Sequence, residues 1–290
     1  WHRGASLVLN ERQDRRDFRE VDRMRISTLY RHPIKSARAQ VPERITLDAL
    51  GAIDDRRMML IDDQGRFVTA RTYAQLARCE VVRVVEGWRV SHPDRIGDEL
   101  IFADAREELL SVEVWGDEFE ARLVSARANE WFTKVLGTSL RLVAQAPETH
   151  RGLDPEFVDE ERETVFSDGF PLLITNGVSL AALNDALDSP VDMLRFRPNI
   201  VVDAELAWDE DDWMQLEIGE LSFTCAKPCV RCSLTGVDPE TGNRAAEPLR
   251  TLSRLRVGTT FGINLVHSGP GEIAVGDEVR VSKRRVLGPR

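Results

Sequence analysis

Short apolar segments, set close together and separated by Gly, Pro, Asp and other turn residues, constrain this chain more than any other feature. Runs of that length fit β-strands and are too short for most helices. Met24–Tyr30 alternates in polarity and is broken by Arg31-His32-Pro33. Arg44–Leu50 follows, then Met58–Ile61 and Phe67–Ala70, a hairpin across Asp62-Asp63-Gln64-Gly65. Arg71 closes that second strand, and residues 72–78 have the length of one helical turn. Glu80–Val85 and Trp88–Ser91 form another hairpin across Glu86-Gly87, and Glu99–Phe102, Ser111–Trp115 and Phe119–Val124 continue the pattern. Strands this closely spaced predict a twisted sheet or barrel. The later chain adds Leu140–Ala144, Pro171–Thr175, Asn199–Asp203, Met214–Ile218, Leu221–Cys225, Thr260–Val266, and Glu272–Val281 bent at Val275-Gly276-Asp277.

Helical spacing of apolar residues occurs in Ala126–Leu136, with Gly137 as its stop, and in Ser179–Leu187, with Ser179 as N-cap. The fold class expected is therefore α+β and β-rich. Gln145–Glu163 is rich in Pro and acidic residues and has little apolar periodicity, so it marks a boundary. The expected organisation is a charged tail over 1–24, one domain over 25–150 and a second over 151–290.

Composition narrows the function classes. The chain has 42% hydrophobic and 30% charged residues, enough to build a core, and no run of eighteen apolar residues that would span a bilayer. A net charge of −10 argues against a partner held by general phosphate attraction, and so against nucleic acid. No signal peptide is visible, and the four cysteines, Cys79, Cys225, Cys229 and Cys232, make a poor disulfide framework. They fit a reducing compartment, and a cytoplasmic protein is expected.

The chemistry gathers in Cys225–Gly242, CAKPCVRCSLTGVDPETG. Its C-x3-C-x2-C spacing is that of the cluster-binding cysteines of radical S-adenosylmethionine enzymes, but only 58 residues follow Cys232, too few for the barrel those enzymes build after the triad. Structural zinc wants four ligands, and the nearest downstream histidine, His267, is 35 residues away. Cys79 and Cys225 read as small buried hydrophobes. Cys232 differs, because Arg231 and Lys227 lie near it, and cationic neighbours favour the thiolate that attacks or binds metal. The Thr235–Gly242 stretch is a succession of turns whose backbone N–H groups suit an anion, though a plain surface loop is the commoner outcome.

Lys227–Gly242, KPCVRCSLTGVDPETG, resembles the signature of MOSC-domain proteins, roughly R-C-x-x-T-T-V-D-P-x-T-G. Glu247–Leu252, Phe170–Asn184 (FPLLITNGVSLAALN) and Arg195–Val202 (RFRPNIVV) match as well. Tyr30–Ser36 (YRHPIKS) and Val68–Arg71 (VTAR) are similar to the associated N-terminal β-barrel-like domain. The likeness is collinear over roughly residues 25–285 and is greatest to the amidoxime-reducing components of mitochondria and their bacterial counterparts. It implies an N-terminal β-barrel-like domain followed by a MOSC β-barrel domain.

The resemblance further implies a molybdenum cofactor, molybdopterin, bound between the domains, with Cys232 matching the metal ligand. Lys35, Ser36, Arg56, Thr69, Arg71, Asn176, Ser179, Arg197, Asn199 and Arg231 match positions near that cofactor. At family level pyridoxal phosphate binding is also associated with the domain. The activity implied is molybdenum-dependent reduction of N-hydroxylated compounds by two-electron N–O cleavage. Electrons would come from a separate partner, ferredoxin-like or cytochrome b5-like with a reductase, because no ferredoxin-like cysteine set follows Cys232. The alternative is a non-redox protein, either a sulfur carrier with a persulfide on Cys232 or a carrier of the cofactor. His32 is a candidate acid and Asp238 is expected to brace its turn, so the proton donor is left unassigned. Two positions depart from the family pattern: Gly236 replaces the second Thr, and Asn264 stands where relatives often have Tyr.

Overall fold

The computed structural model describes residues 23–103, 108–158 and 162–285, and the charged tail expected over 1–24 lies almost wholly outside them. Seven strands close into a barrel in the order Arg23–Leu29, Ile200–Val202, Leu172–Asn176, Thr260–His267, Leu221–Val230, Trp213–Ile218, Glu278–Arg284. All neighbours are antiparallel except Leu172–Asn176 and Ile200–Val202, which run parallel. Arg23–Leu29 alternates between exposed and buried positions, and Met24, Ile26 and Leu29 join Ile174, Ile200, Leu216, Phe223 and Leu265 inside. Period-2 alternation of this kind is what one-sided burial requires. This first strand, at the start of the expected N-terminal domain, pairs with Val279 and Val202 and completes the seven-stranded barrel.

The N-terminal half is built on a five-stranded antiparallel sheet, ordered Phe67–Val68, Met58–Ile61, Arg141–Ala144, Asp117–Leu123, Leu109–Val114. Met58–Ile61 is apolar throughout because both faces are covered. Met58 and Leu60 enter one core and Met59 and Ile61 the other. The first core is capped by helix α1 (Ala126–Leu136), whose Ala128, Trp131 and Phe132 are buried. Ser125 Oγ accepts from Ala128 N at its start, and Gly137 ends it at φ 74°. A glycine there meets the left-handed requirement at no steric cost. A three-stranded sheet, Glu80–Val84, Gly87–Ser91 and Leu100–Phe102, packs on the same core, and another joins the halves by pairing Arg44–Asp48 with Gly271–Ala274.

Helix α2 spans Gly177–Asn184 and starts earlier than the spacing predicts. Its cap is Asn176, whose Oδ1 accepts from Val178 N at 3.0 Å, while Ser179 lies inside the first turn. Helix α3, Leu249–Leu255, was not anticipated; it is too short for apolar periodicity to declare it. The strand expected at Leu221–Cys225 continues to Val230. Bulges between Cys225 and Lys227 and between Pro228 and Val230 break the alternation there, which hides the extension.

Candidate functional site

A cleft of about 520 Å³ opens between the barrel and the N-terminal half. The N-terminal half contributes Lys35, Ser36, Arg56, Thr69, Arg71 and Trp115; the C-terminal half contributes residues 167–170, Leu172, Leu173, Phe196, Arg197, Asn199, residues 227–232, Leu234 and Asn264. Of the eleven residues expected at a cofactor site, nine meet here: Lys35, Ser36, Arg56, Thr69, Arg71, Arg197, Asn199, Arg231 and Cys232.

Asn176 and Ser179 are absent from the lining. Asn176 caps α2 and donates to the Leu206 carbonyl at 2.9 Å, and Ser179 Oγ donates to Glu210 Oε2 at 2.8 Å and accepts from Trp208 N at 2.7 Å. Both are fully buried and tie helix α2 to the Trp208–Glu210 turn, so their polarity serves internal hydrogen bonding. Glu210 has no solvent exposure, and burial pushes its carboxyl up to about 7 against the opposing bonds from Ser179 and Asn176.

Positive charge dominates the cleft. Lys35, Arg56, Arg71, Arg197, Lys227 and Arg231 face a single carboxylate, Asp168. Lys35, 5% exposed, donates to Asp168 Oδ1 at 2.5 Å and to the Phe166 carbonyl at 2.6 Å. Burial lowers the Lys35 ammonium below its ordinary value, with Asp168 acting in the opposite sense. Burial acts to raise Asp168, but the Lys35 charge, the bonds from Lys35 and Trp115 and the Arg71 charge together outweigh it and hold the carboxyl well below the usual carboxylate range. Arg197 is pushed down to about 9, first by burial and then by the Arg56 charge.

The cations are positioned by specific partners. Arg56 Nη1 reaches Asp55 at 2.5 Å and Asn199 Oδ1 at 3.0 Å, and Nη2 reaches the Arg197 carbonyl at 2.8 Å. Thr69 Oγ1 accepts from Arg71 N and Nε at 3.3 and 3.2 Å. Arg197 Nη1 donates to the Ala37 carbonyl at 2.8 Å. Among the described residues, Arg197 Nη2 and Arg231 Nε are buried with no protein partner. Among the described residues seven non-glycine residues have φ > 0, and four of them, Ser36, Arg56, Trp115 and Arg197, line this cleft. Backbone strain therefore concentrates where function is expected.

The cysteines separate. Cys225 is buried in the barrel core, where burial pushes its thiol up to about 12, and Cys79 is buried likewise in the N-terminal core, also pushed up to about 12. Cys229 and Cys232 are half-buried and both line the cleft. A three-thiolate cluster is thus not assembled, and among the described residues no group of three or more His, Cys, Asp or Glu side chains is placed to hold a metal. Arg231, expected beside Cys232, instead directs Nη1 to Cys229 Sγ at 2.7 Å and Nη2 to the Phe196 carbonyl at 2.7 Å.

His32 is fully buried, outside the lining, and its Nε2 bonds to the Pro198 carbonyl at 3.1 Å. Burial, then Arg197 and Arg56, hold its pKa well below the ordinary value, so it is neutral and unsuited to the acid role considered from sequence. Asp238 Oδ1 accepts from Glu240 N and Thr241 N at 2.8 and 3.0 Å, and Oδ2 accepts from Arg195 at 2.8 Å; it braces its turn. The turn in turn docks on the N-terminal half. Val237 is buried in that half's core, Arg244 donates to the Arg71 and Thr72 carbonyls, and Arg38 pairs with Glu240 at 2.5 Å.

Sequence reasoning missed Asp168 and Trp115 as lining residues, and it named Lys227 only as a cation near Cys232. Asp168 meets Lys35 across 133 positions, a partnership no local motif announces. Asn264 lines the cleft from Thr260–His267 and donates to the Lys227 carbonyl at 3.3 Å. At Gly236 a Cβ would lie 2.3 Å from the Ala245 carbonyl oxygen, which explains why this loop carries no threonine there.

Residues 161–280 match the MOSC domain, and residues 23–139 match the MOSC N-terminal beta barrel domain. Over 278 residues the chain is 30% identical to mitochondrial amidoxime reducing component 2 of Macaca fascicularis, spanning 88% of this chain and 82% of that protein. The Homo sapiens protein of the same name is 29% identical over 278 residues, with the same coverage of 88% and 82%. Molybdenum cofactor sulfurase 1 of Aedes aegypti is 30% identical over 274 residues, 87% of this chain but only 35% of that longer protein.

Proposed function

The chain belongs to the MOSC family, carrying the MOSC N-terminal beta barrel domain ahead of the MOSC domain, and from that membership we propose that it binds the molybdenum cofactor and reduces N-hydroxylated compounds. The observation that carries this reading is one cleft uniting Cys232 with buried guanidinium nitrogens, Arg197 Nη2 and Arg231 Nε, that lack protein partners. A phosphate-bearing pterin calls for arginine forks, and a soft metal calls for a thiolate. The residues present fit both demands. Arg197, Arg231, Lys35 and Arg56 would hold the phosphate end, with Asn199 fixing Arg56, Thr69 fixing Arg71 and Ser36 lining the same wall, and Cys232 would ligate molybdenum.

When bound, the cofactor supplies the two-electron chemistry that, with two protons, converts N–OH to N–H and water. The protein's part is to orient and to manage charge. Arg56 and Arg197 are locked by Asn199 and Ala37, so their positive ends are preorganised and need little rearrangement on anion binding. Lys35 and Asp168 hold a proton at Nζ on the cleft wall. Cys229 anchors Arg231 and so supports the loop that presents Cys232. The relatives named amidoxime reducing component favour this reaction. Electrons would arrive from a separate protein, ferredoxin-like or cytochrome b5-like with a reductase.

A second reading, sulfur or cofactor carriage, has support in the similarity to a protein named molybdenum cofactor sulfurase and in the two free thiols in the cleft. One measurement separates the readings. Protein from a molybdopterin-competent host should contain near-stoichiometric molybdenum and pterin and should reduce benzamidoxime with reduced benzyl viologen. Metal without turnover would favour cofactor carriage, and a persulfide without metal would favour sulfur transfer.

A further inference from the structure

Trp115 occupies a position that the fold alone does not explain. Val114 pairs with Asp117, leaving a two-residue hairpin turn of Trp115 and Gly116 with φ 57° and 91°. Turns with φ > 0 at both residues favour Asn, Asp and Gly, and a bulky side chain there is an outlier. Burial does not compensate. Trp115 is 53% exposed and is the one exposed tryptophan among the described residues.

The indole is nonetheless held firmly. Its Nε1 donates to Asp168 Oδ1 at 3.2 Å, Arg71 Cζ lies 4.4 Å from its ring centroid, and Phe67 packs at 5.0 Å and 58°. Lys35 and Arg71 also lie over Phe67, at 5.3 and 5.6 Å. The two aromatic rings thus seat cations of the cleft, and the indole bridges the N-terminal half to Asp168 of the C-terminal half. Its edge is fixed by a carboxylate and its ring is held by a guanidinium, while the remainder of its surface stays open in the cleft lining. A strained backbone, a ring held by its partners and half of the residue's surface left exposed beside a charged site suit an aromatic stacking platform.

We propose that Trp115 determines substrate specificity, acting as a platform that selects N-hydroxylated substrates whose N–O group is conjugated to a flat aromatic system over saturated aliphatic hydroxylamines. The proposal rests on the N-reductase reading for its substrate class. Stacking on an aromatic ring contributes about 0.5–1.5 kcal/mol, equivalent to roughly 2- to 12-fold in affinity.

The test compares wild type, Trp115→Phe and Trp115→Leu as cofactor-loaded full chains, with reduced benzyl viologen as donor and benzamidoxime or N-cyclohexylhydroxylamine as substrate. The ratio of kcat/KM for the aryl over the aliphatic substrate should fall roughly 2- to 12-fold in Trp115→Leu, mainly through KM, and be largely retained in Trp115→Phe. Equal losses in both variants would assign the effect to the hydrogen bond with Asp168 and overturn the platform. Molybdenum and pterin content falling in step with activity in Trp115→Leu would overturn it too, by assigning the ring to the cofactor. If wild type holds molybdenum yet reduces neither substrate, the N-reductase reading fails. The platform is then judged by equilibrium binding of benzamidine, which should weaken in Trp115→Leu and persist in Trp115→Phe; equal binding by all three proteins would reject it.

Discussion

Arg244 Nη1 donates to the carbonyl oxygen of Arg71 at 2.6 Å, joining the signature loop of the MOSC domain to the strand end that supplies a cleft cation. The same guanidinium reaches the Thr72 carbonyl at 2.7 Å, and Arg78 Nε donates to the Glu240 carbonyl at 2.9 Å. The Thr-Gly-Val-Asp-Pro exit therefore positions the two halves of the cleft relative to each other. Its conformation is set by Asp238, and its attachment is set by Val237, Arg244 and the Glu240 contacts with Arg38 and Arg78.

Arg244→Ala is accordingly expected to weaken the junction more than an ordinary surface substitution would. Charge-assisted hydrogen bonds to backbone carbonyls contribute about 1.5–3 kcal/mol where shielded, and Arg244 is exposed, so about 1–2 kcal/mol is expected. Urea denaturation measures the loss, and retained pterin after gel filtration should fall with it. Stability and pterin content equal to wild type would show that Val237 and the Glu240 contacts with Arg38 and Arg78 hold the loop without Arg244.

The two cleft thiols should respond differently to replacement. Cys232→Ser removes the proposed ligand and should abolish molybdenum content. Cys229→Ser leaves that thiol in place but removes the sulfur that anchors Arg231, a supporting contact. Loss of such support around a metal ligand costs roughly 10–100-fold in affinity, so molybdenum should be retained at high cofactor supply and lost on dialysis. Elemental analysis before and after dialysis reads both, and indistinguishable variants would remove Cys232 from its assigned role.

Gly236→Thr would restore the family's second threonine and is expected to harm this chain. Ala245 N donates to the Gly236 carbonyl at 2.9 Å, fixing two backbones so close that a Cβ meets the Ala245 oxygen at 2.3 Å. Overpacking against backbone costs about 1–3 kcal/mol. A lowered Tm with reduced pterin retention is the expected outcome, and a neutral or raised Tm would mean that the loop relaxes freely.

Much of the fold is legible in the sequence because strand alternation and turn residues are local signals. Ala126–Leu136 and Met58–Ile61 lie where their patterns put them. Barrel closure is different. Arg23–Leu29 pairs with Glu278–Arg284 across some 250 positions, and nothing in either segment names its partner. The cleft cations were recoverable only through resemblance, since each alone reads as surface charge. Asn176 and Ser179 show the opposite error. A polar residue beside a strand-to-helix turn has the same sequence appearance whether it meets a ligand or, as here, caps a helix and binds a buried Glu210. Trp115 has the sequence appearance of a strand end, because φ > 0 at a tryptophan is invisible until the hairpin register is known.

Glu210 gives the chain a pH dependence whose sign can be worked out. Its carboxyl is raised from 4.5 to about 7 by burial, despite donors from Ser179 and Asn176, so the folded protein keeps this proton at pH values where the unfolded chain has released it. The folded state then binds more protons between about 4.5 and about 7, and stability falls as pH rises through that window. The contribution is fully present below the unfolded value and lost above the folded one. At about 1.4 kcal/mol per pKa unit the full effect is on the order of 3 kcal/mol. Glu210→Gln cannot titrate and keeps an oxygen to accept from Ser179 and Asn176. Urea unfolding at pH 5 and pH 7.5 should therefore show wild type losing more stability than Glu210→Gln between the two. Parallel losses would mean that Glu210 is ionised in the folded protein throughout, compensated by groups around the α2 N-terminus.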